Sequence, residues 1–297
     1  MTEIFQGLSA FPVTPADAEG RVDVDALGRL LDRLVEARVH SIGLLGSTGA
    51  YAYLTFAERR RAVAAAAEAV GGRAPLIVGV GALRTDWVQA LARDAEQRGA
   101  DGLLLAPVAY TPPTEDEVFA HYQAAAAATA LPICVYNNPT TTHVTLSEPM
   151  VARLSHIPGV AAVKMPLLPA GDYEQQIARL QADAALSFRI GYSGDWGASS
   201  ALQAGAAAWY SVLGGLLPQT ALKLYDAAHG GRAAEADALN ARLEPLWALF
   251  RRHGGLRVVY ALAPMLGLQV HAPPPPLRAA PAAEVEAAIA GLDDLLA

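Results

Sequence analysis

A lysine ends the run Val160-Ala161-Ala162-Val163-Lys164-Met165-Pro166, whose small and branched apolar residues read as a short buried β-strand. An ammonium group is costly to bury unless it is paired or neutralised. The chain carries few lysines, and its other cations are mostly arginines on polar, helix-like segments. Lys164 therefore has two readings. Its stem packs and its head snorkels to water, or it is a desolvated amine kept as a nucleophile for Schiff-base chemistry.

Three other stretches carry groups of use to such an amine. Ile133-Cys134-Val135-Tyr136-Asn137-Asn138-Pro139 is strand-like, and side-chain alternation puts Cys134 and Tyr136 on one face. A phenol there can relay protons, or simply pack its ring and bond a backbone group. By the same alternation Ala162 and Lys164 share a face, and the small Ala162 leaves room for the long side chain. Gly46-Ser47-Thr48-Gly49 offers two hydroxyls and free backbone N–H groups in a tight turn. It suits a carboxylate or phosphate oxygen, or is an ordinary connection. Gly191-Tyr192-Ser193-Gly194-Asp195 is a Gly-rich turn that lets a ligand approach the backbone.

These groups need a scaffold that brings strand ends together. Strand-like runs at 8–13, 41–45, 76–79, 102–105, 133–136, 161–164, 188–191 and 208–212 alternate with amphipathic helical patterns at 24–37, 57–70, 87–98, 115–128, 174–182 and 219–228. Thr55 and Glu58 have the spacing of a capping box, and Thr114 followed by three acids marks another helix start. Eight β-then-α units predict a (β/α)8 TIM barrel over residues 1–230, with a doubly wound open sheet as the lesser alternative. Residues 231–297 read as a C-terminal helical appendage packed on the barrel, with helices at 233–252, 256–266 and 282–296 and a stiff proline run at 273–276. In such a barrel, reactive groups sit at the C-terminal strand ends.

Composition bounds the function. The chain has 297 residues, 53% hydrophobic and 17% charged, enough for a large core, and its net charge of −7 argues against nucleic acid or an anionic membrane as partner. The Ala-rich runs are broken by polar residues, the first residues show no basic-then-apolar pattern, and the single Cys134 excludes a disulfide framework. No His/Asp/Glu cluster falls at the strand ends, so a metal-dependent aldolase is disfavoured. A cytoplasmic protein without a metal is the expectation.

Together, Gly46-Ser47-Thr48-Gly49, Tyr136-Asn137-Asn138-Pro139, Lys164 and Gly194-Asp195 resemble the dihydrodipicolinate synthase / N-acetylneuraminate lyase family, in order and spacing over essentially the whole chain. Thr14-Pro15 near the start and Gly255-Leu256-Arg257 near the end extend the resemblance. It implies a cofactor-independent class I aldolase on a (β/α)8 barrel, active on a small 2-oxo acid of the pyruvate type and assembled as a homo-oligomer, a dimer or tetramer. Lys164 would be the Schiff-base lysine and Tyr136 the acid/base. Ser47 and Thr48 would hold the substrate carboxylate, with Ser47 also relaying protons from Tyr136. Gly194 and Tyr210 would line the pocket. Tyr110 falls near the family's second tyrosine, offered to a neighbouring subunit, although Ala106-Pro107-Val108-Ala109-Tyr110 needs one extra residue to align.

The departures bear on substrate. Synthases of the lysine pathway typically carry an arginine near Thr141 to grip a semialdehyde carboxylate, and Thr140-Thr141-Thr142-His143 has none. Ala50 stands where a Glu usually follows the turn, and Met165 follows Lys164 in place of an acid. The expectation is a lyase that makes or breaks a C–C bond between pyruvate and an aldehyde, on a 2-oxo-3-deoxy sugar acid or a similar 2-oxo acid. A Schiff-base dehydratase or deaminase comes next, then dihydrodipicolinate synthase. A non-enzymatic 2-oxo acid sensor is disfavoured by the joint presence of Ser47, Thr48, Tyr136 and Lys164.

Overall fold

The computed structural model describes residues 3–168 and 171–296. Its frame is a closed barrel of eight parallel strands in sequential order: β1 (Gly7–Ala10), β2 (Ser41–Leu44), β3 (Leu76–Gly79), β4 (Gly102–Leu105), β5 (Ile133–Tyr136), β6 (Val160–Met165), β7 (Arg189–Ser193) and β8 (Ala208–Ser211). Parallel strands buried on both faces account for the near-continuous apolar runs. Alternation divides those runs between two cores. Ile77, Leu104, Cys134, Tyr136, Ala162, Ala208 and Tyr210 face the lumen with Phe5 and Phe11. Their neighbours, such as Val78, Leu103, Val135, Val163 and Trp209, face the surrounding helices. In register, Tyr136 lies beside Lys164, and Lys164 beside Gly191. The expected phenol and amine thus sit on adjacent strands in one layer of the lumen.

Helix starts follow local chemistry. Thr114 and Glu117 form a full capping box at the head of Glu115–Ala126. At Phe56–Val70 only half of the expected box forms: Thr55 accepts from the Glu58 N–H, while the Glu58 carboxylate accepts from the Val22 N–H instead. The helical pattern at 233–252 is two helices, Ala233–Arg242 and Glu244–His253. Pro245 has no N–H to give and its ring crowds the preceding turn, so it takes the first turn of a new helix. The last helix stops at Ile289, short of 296, where Gly291 turns the chain with φ +82. Short helices at Glu148–Ser155 and Ala198–Gln203 are additional to the sequence expectation.

The C-terminal helices reach the barrel mouth. Gly255, at the start of Gly255–Met265, packs on Val212 just beyond β8, and the Tyr260 hydroxyl donates to the Thr14 carbonyl at 3.5 Å. Among the described residues no helix is long and apolar enough to cross a membrane, and no group of three or more His, Cys, Asp or Glu could hold a metal ion.

Candidate active site

Lys164 stands near the C-terminal end of β6 and is 4% exposed. Its Nζ lies 3.8 Å from the centre of the Phe11 ring, 4.3 Å from that of Tyr136 and 5.6 Å from that of Tyr210. Among the described residues it takes part in no ion pair. The amine is thus surrounded by aromatic faces, with no carboxylate tied to it. Ring faces attract a cation through their quadrupole but form no covalent or tight ionic bond that attack would have to break.

The Tyr136 hydroxyl oxygen is the meeting point of the polar groups. It accepts from Asn138 Nδ2 at 2.7 Å and from Ser47 Oγ at 3.4 Å. Asn138 occupies the N-cap of the short helix Pro139–Thr142, which fixes it just beyond β5. Ser47 belongs to the turn after β2. That turn is set by Leu45, a non-glycine residue held in the left-handed region with φ 57. Such a residue persists only when its surroundings dictate it. The surroundings here include Gly79 of β3, where a Cβ would lie 1.9 Å from the Leu45 carbonyl oxygen. Thr48 is buried beside Ser47.

On β8 Tyr210 is 1% exposed, and the Cys134 thiol donates to its hydroxyl at 3.4 Å. Burial pushes the Cys134 thiol up to about 12 and the Tyr210 phenol well above its usual range. Both are therefore neutral at physiological pH. Tyr210 gives the amine its third ring face. Gly191, in register with Lys164, makes room for it: a Cβ there would sit 2.7 Å from Tyr210 Cε2.

Gly194 takes φ +95 and packs against Leu167, so its lack of a side chain is required by backbone and packing alike. The next residue, Asp195, is fully buried. Its carboxylate accepts from Ser211 Oγ at 2.6 Å and from the Val212 and Leu213 N–H groups, both at 3.3 Å. Burial raises its pKa against these bonds. Asp195 thereby ties the loop after β7 to the end of β8. Thr141 lies exposed on the short helix after β5 and makes no side-chain hydrogen bond to Lys164, Tyr136 or Ser47. Tyr110 is 95% exposed on the loop after β4 and takes no part in the Lys164–Tyr136–Ser47 cluster of its own protomer.

Sequence reasoning missed Phe11, Asn138 and Arg59. Arg59 is buried in helix Phe56–Val70 and donates to the carbonyls of Gly79 and Gly81 at 2.9 and 3.0 Å, with its guanidinium 5.1 Å from the Tyr51 ring centre. Burial lowers its pKa to about 10. It braces the end of β3, which in turn shapes the Leu45 turn. A run of three arginines at 59–61 gives no sign that the first one turns inward. Phe11 and Asn138 each had a signal: an aromatic beyond a first strand whose neighbour strand carries glycines, and an amide directly after Tyr136-Asn137.

A dihydrodipicolinate synthase from Agrobacterium tumefaciens is 52% identical in sequence, with a TM-score of 0.96 over 100% of this chain and 99% of that one. A putative dihydrodipicolinate synthetase from Pseudomonas aeruginosa is 32% identical, with a TM-score of 0.90 over 98% of this chain and 99% of that one. In sequence, the 4-hydroxy-tetrahydrodipicolinate synthase of Corynebacterium aurimucosum is 36% identical over 277 residues, 93% of this chain and 89% of that protein. The family model of the dihydrodipicolinate synthetase family matches residues 4–290. With the barrel closed and a lysine and a phenol paired in its lumen, the chain belongs to the dihydrodipicolinate synthetase family of class I pyruvate aldolases, and it is an enzyme of the lyase class.

Proposed function

We propose that Lys164 captures the keto group of pyruvate as an imine and that the enzyme joins the resulting enamine to an aldehyde, or runs that step in reverse. The observation that carries this reading is the pairing of a buried, carboxylate-free lysine with a phenol whose oxygen is bonded to Ser47, on adjacent strands. The Lys164 amine adds to C2, and the carbinolamine hydroxyl takes a proton from solvent and leaves as water, giving a protonated imine. The imine accepts the electron pair freed when C3 loses a proton. That proton passes to the Tyr136–Ser47 pair, which releases one of its own hydroxyl protons to solvent as the enamine forms. The enamine then attacks the aldehyde carbon, and the same pair returns the proton to the former aldehyde oxygen. Water adds to the imine and releases product and lysine. Ser47 and Thr48 fix the substrate carboxylate, and with it the face of the carbonyl offered to the amine. Thr141, Gly194 and Tyr210 are the further contacts we assign to substrate or pocket.

The names of the relatives support 4-hydroxy-tetrahydrodipicolinate synthesis as the acceptor chemistry to test first. One observation favours a second reading. Thr140, Thr141 and Thr142 stand where a carboxylate-gripping arginine is expected, which suits a hydroxylated acceptor such as the aldehyde half of a 2-oxo-3-deoxy sugar acid. Elimination of water or ammonia from a 2-oxo acid can use the same imine. We also assign Tyr110, with the exposed Tyr53 and Leu83 on the two preceding βα connections and Trp87 in the first turn of helix Thr85–Gln97, to contact with a second copy of the chain.

The test is borohydride reduction with pyruvate present, followed by intact mass and peptide mapping. The expected result is one reduced pyruvyl adduct, on Lys164. An unmodified protein, or an adduct elsewhere, rejects the reading. Assays with pyruvate plus aspartate semialdehyde, and with 2-oxo-3-deoxy sugar acids, then decide between the two acceptors.

A further inference from the structure

The chain holds the Phe11 ring in a slot that the sequence has cleared for it. A Cβ on Gly43 would lie 2.2 Å from Phe11 Cζ, and one on Gly46 would lie 2.6 Å from its Cδ1. On the opposite side, a Cβ on Gly215 would lie 2.3 Å from the Phe11 carbonyl oxygen. The Phe11 N–H donates to the Ser211 carbonyl at 2.9 Å, and the ring meets Tyr210 edge-on, with centroids 6.1 Å apart at 77°. An apolar filler needs none of this, since a smaller residue with side chains at 43 and 46 would fill the same volume. What the arrangement achieves is a ring face presented to Lys164 Nζ at 3.8 Å, nearer than either tyrosine ring.

We infer that Phe11 is a positioning residue of the reaction: its ring face is the counter-group of Lys164, holding the ammonium by cation–π attraction where other sites would use a carboxylate. This rests on the reading of Lys164 as the imine-forming lysine. A carboxylate in that place would also pair with the protonated imine and blunt its pull on C3 electrons, whereas a ring face holds either cation at one point without a full negative charge. The attraction acts on the ammonium and not on the free amine, so a weaker quadrupole holds the amine less firmly in its charged form. The other titratable groups facing Lys164 are Tyr136 and Cys134 from β5, Tyr210 from β8 and Asp195 from the loop after β7. All four are unchanged in the test below.

The experiment replaces Phe11 with phenylalanines carrying one, two and three ring fluorines, which weaken the quadrupole while closely preserving the shape. The initial rate of borohydride trapping with pyruvate is compared at neutral pH. The expected result is an adduct on Lys164 in every protein, with the initial rate rising stepwise as fluorines are added. The total rise should reach roughly tenfold. Phe11→Leu, which removes the face altogether, should lie at the fast end of the series if it folds. An unchanged rate across the fluorinated series, with trapping intact, overturns the inference and leaves the proposed function standing. No adduct on Lys164 in the unsubstituted protein overturns both.

Discussion

At the scale of single residues, the site separates two jobs that one group could have shared. Lys164 is held by rings, and Tyr136 is held by hydrogen bonds, through Asn138 at 2.7 Å and Ser47 at 3.4 Å. The Tyr136 ring also faces Lys164, so removing its hydroxyl alone leaves the amine's surroundings intact. Tyr136→Phe should therefore still trap pyruvate on Lys164 with borohydride, while turnover falls by roughly 10²–10⁴-fold, the range for loss of a positioned proton donor. Loss of trapping in that variant would mean that the hydroxyl acts before the imine forms. Asn138→Leu takes away only one donor to the phenol oxygen. A neutral hydrogen bond is worth about 1 kcal/mol, so steady-state turnover should drop by about fivefold, with pyruvate trapping unchanged.

At the scale of elements, the strands and most helices were legible because period-two and period-3.6 apolar patterns persist when both faces of a parallel sheet are covered. The breaks were less so. Pro245 lies within an unbroken helical pattern, and only its missing N–H divides that pattern in two. The helix Glu148–Ser155 is too short for periodicity to separate it from a loop. In the site, Lys164, Tyr136 and Ser47 were legible as types at strand ends. Phe11 and Arg59 were not, because nothing local tells an aromatic or an arginine which side of the wall it will occupy. The glycines carry that information, but only once partners across strands are known. Two of them make the point testable. A methyl group on Gly79 would strike a backbone oxygen at 1.9 Å, which cannot swing aside, whereas one on Gly28 would meet Ala69 Cβ at 4.0 Å on a helix surface. In guanidinium unfolding, Gly79→Ala should lose about 2 kcal/mol or more and disturb the Ser47-Thr48 turn. Gly28→Ala should gain about 0.5–1 kcal/mol from helix propensity alone. Equal behaviour of the two would show that the β3 wall does not dictate the Leu45 kink.

For the whole molecule, the two cores are concentric: an outer one between strands and helices, and an inner one that fills the lumen and carries the site on its upper layer. Strand closure leaves no edge through which the inner core could open by itself, so reaching it requires the barrel to come apart. The one cysteine of the chain, Cys134, lies in that inner core with no exposed surface. Its thiol is doubly protected, by the closed wall and by a pKa that burial pushes up to about 12, which keeps it protonated at the pH of ordinary labelling reagents. In the native protein at pH 8 it should not react with iodoacetamide, and in guanidinium it should react once per chain. Along a denaturant series, the labelled fraction should rise together with the loss of far-ultraviolet circular dichroism, because both report opening of the same barrel. Labelling that runs ahead of the spectral change would reveal a partly opened lumen. Pyruvate should then slow it if the opening involves the Lys164 layer, since a ligand that binds only the closed form draws the equilibrium back towards it.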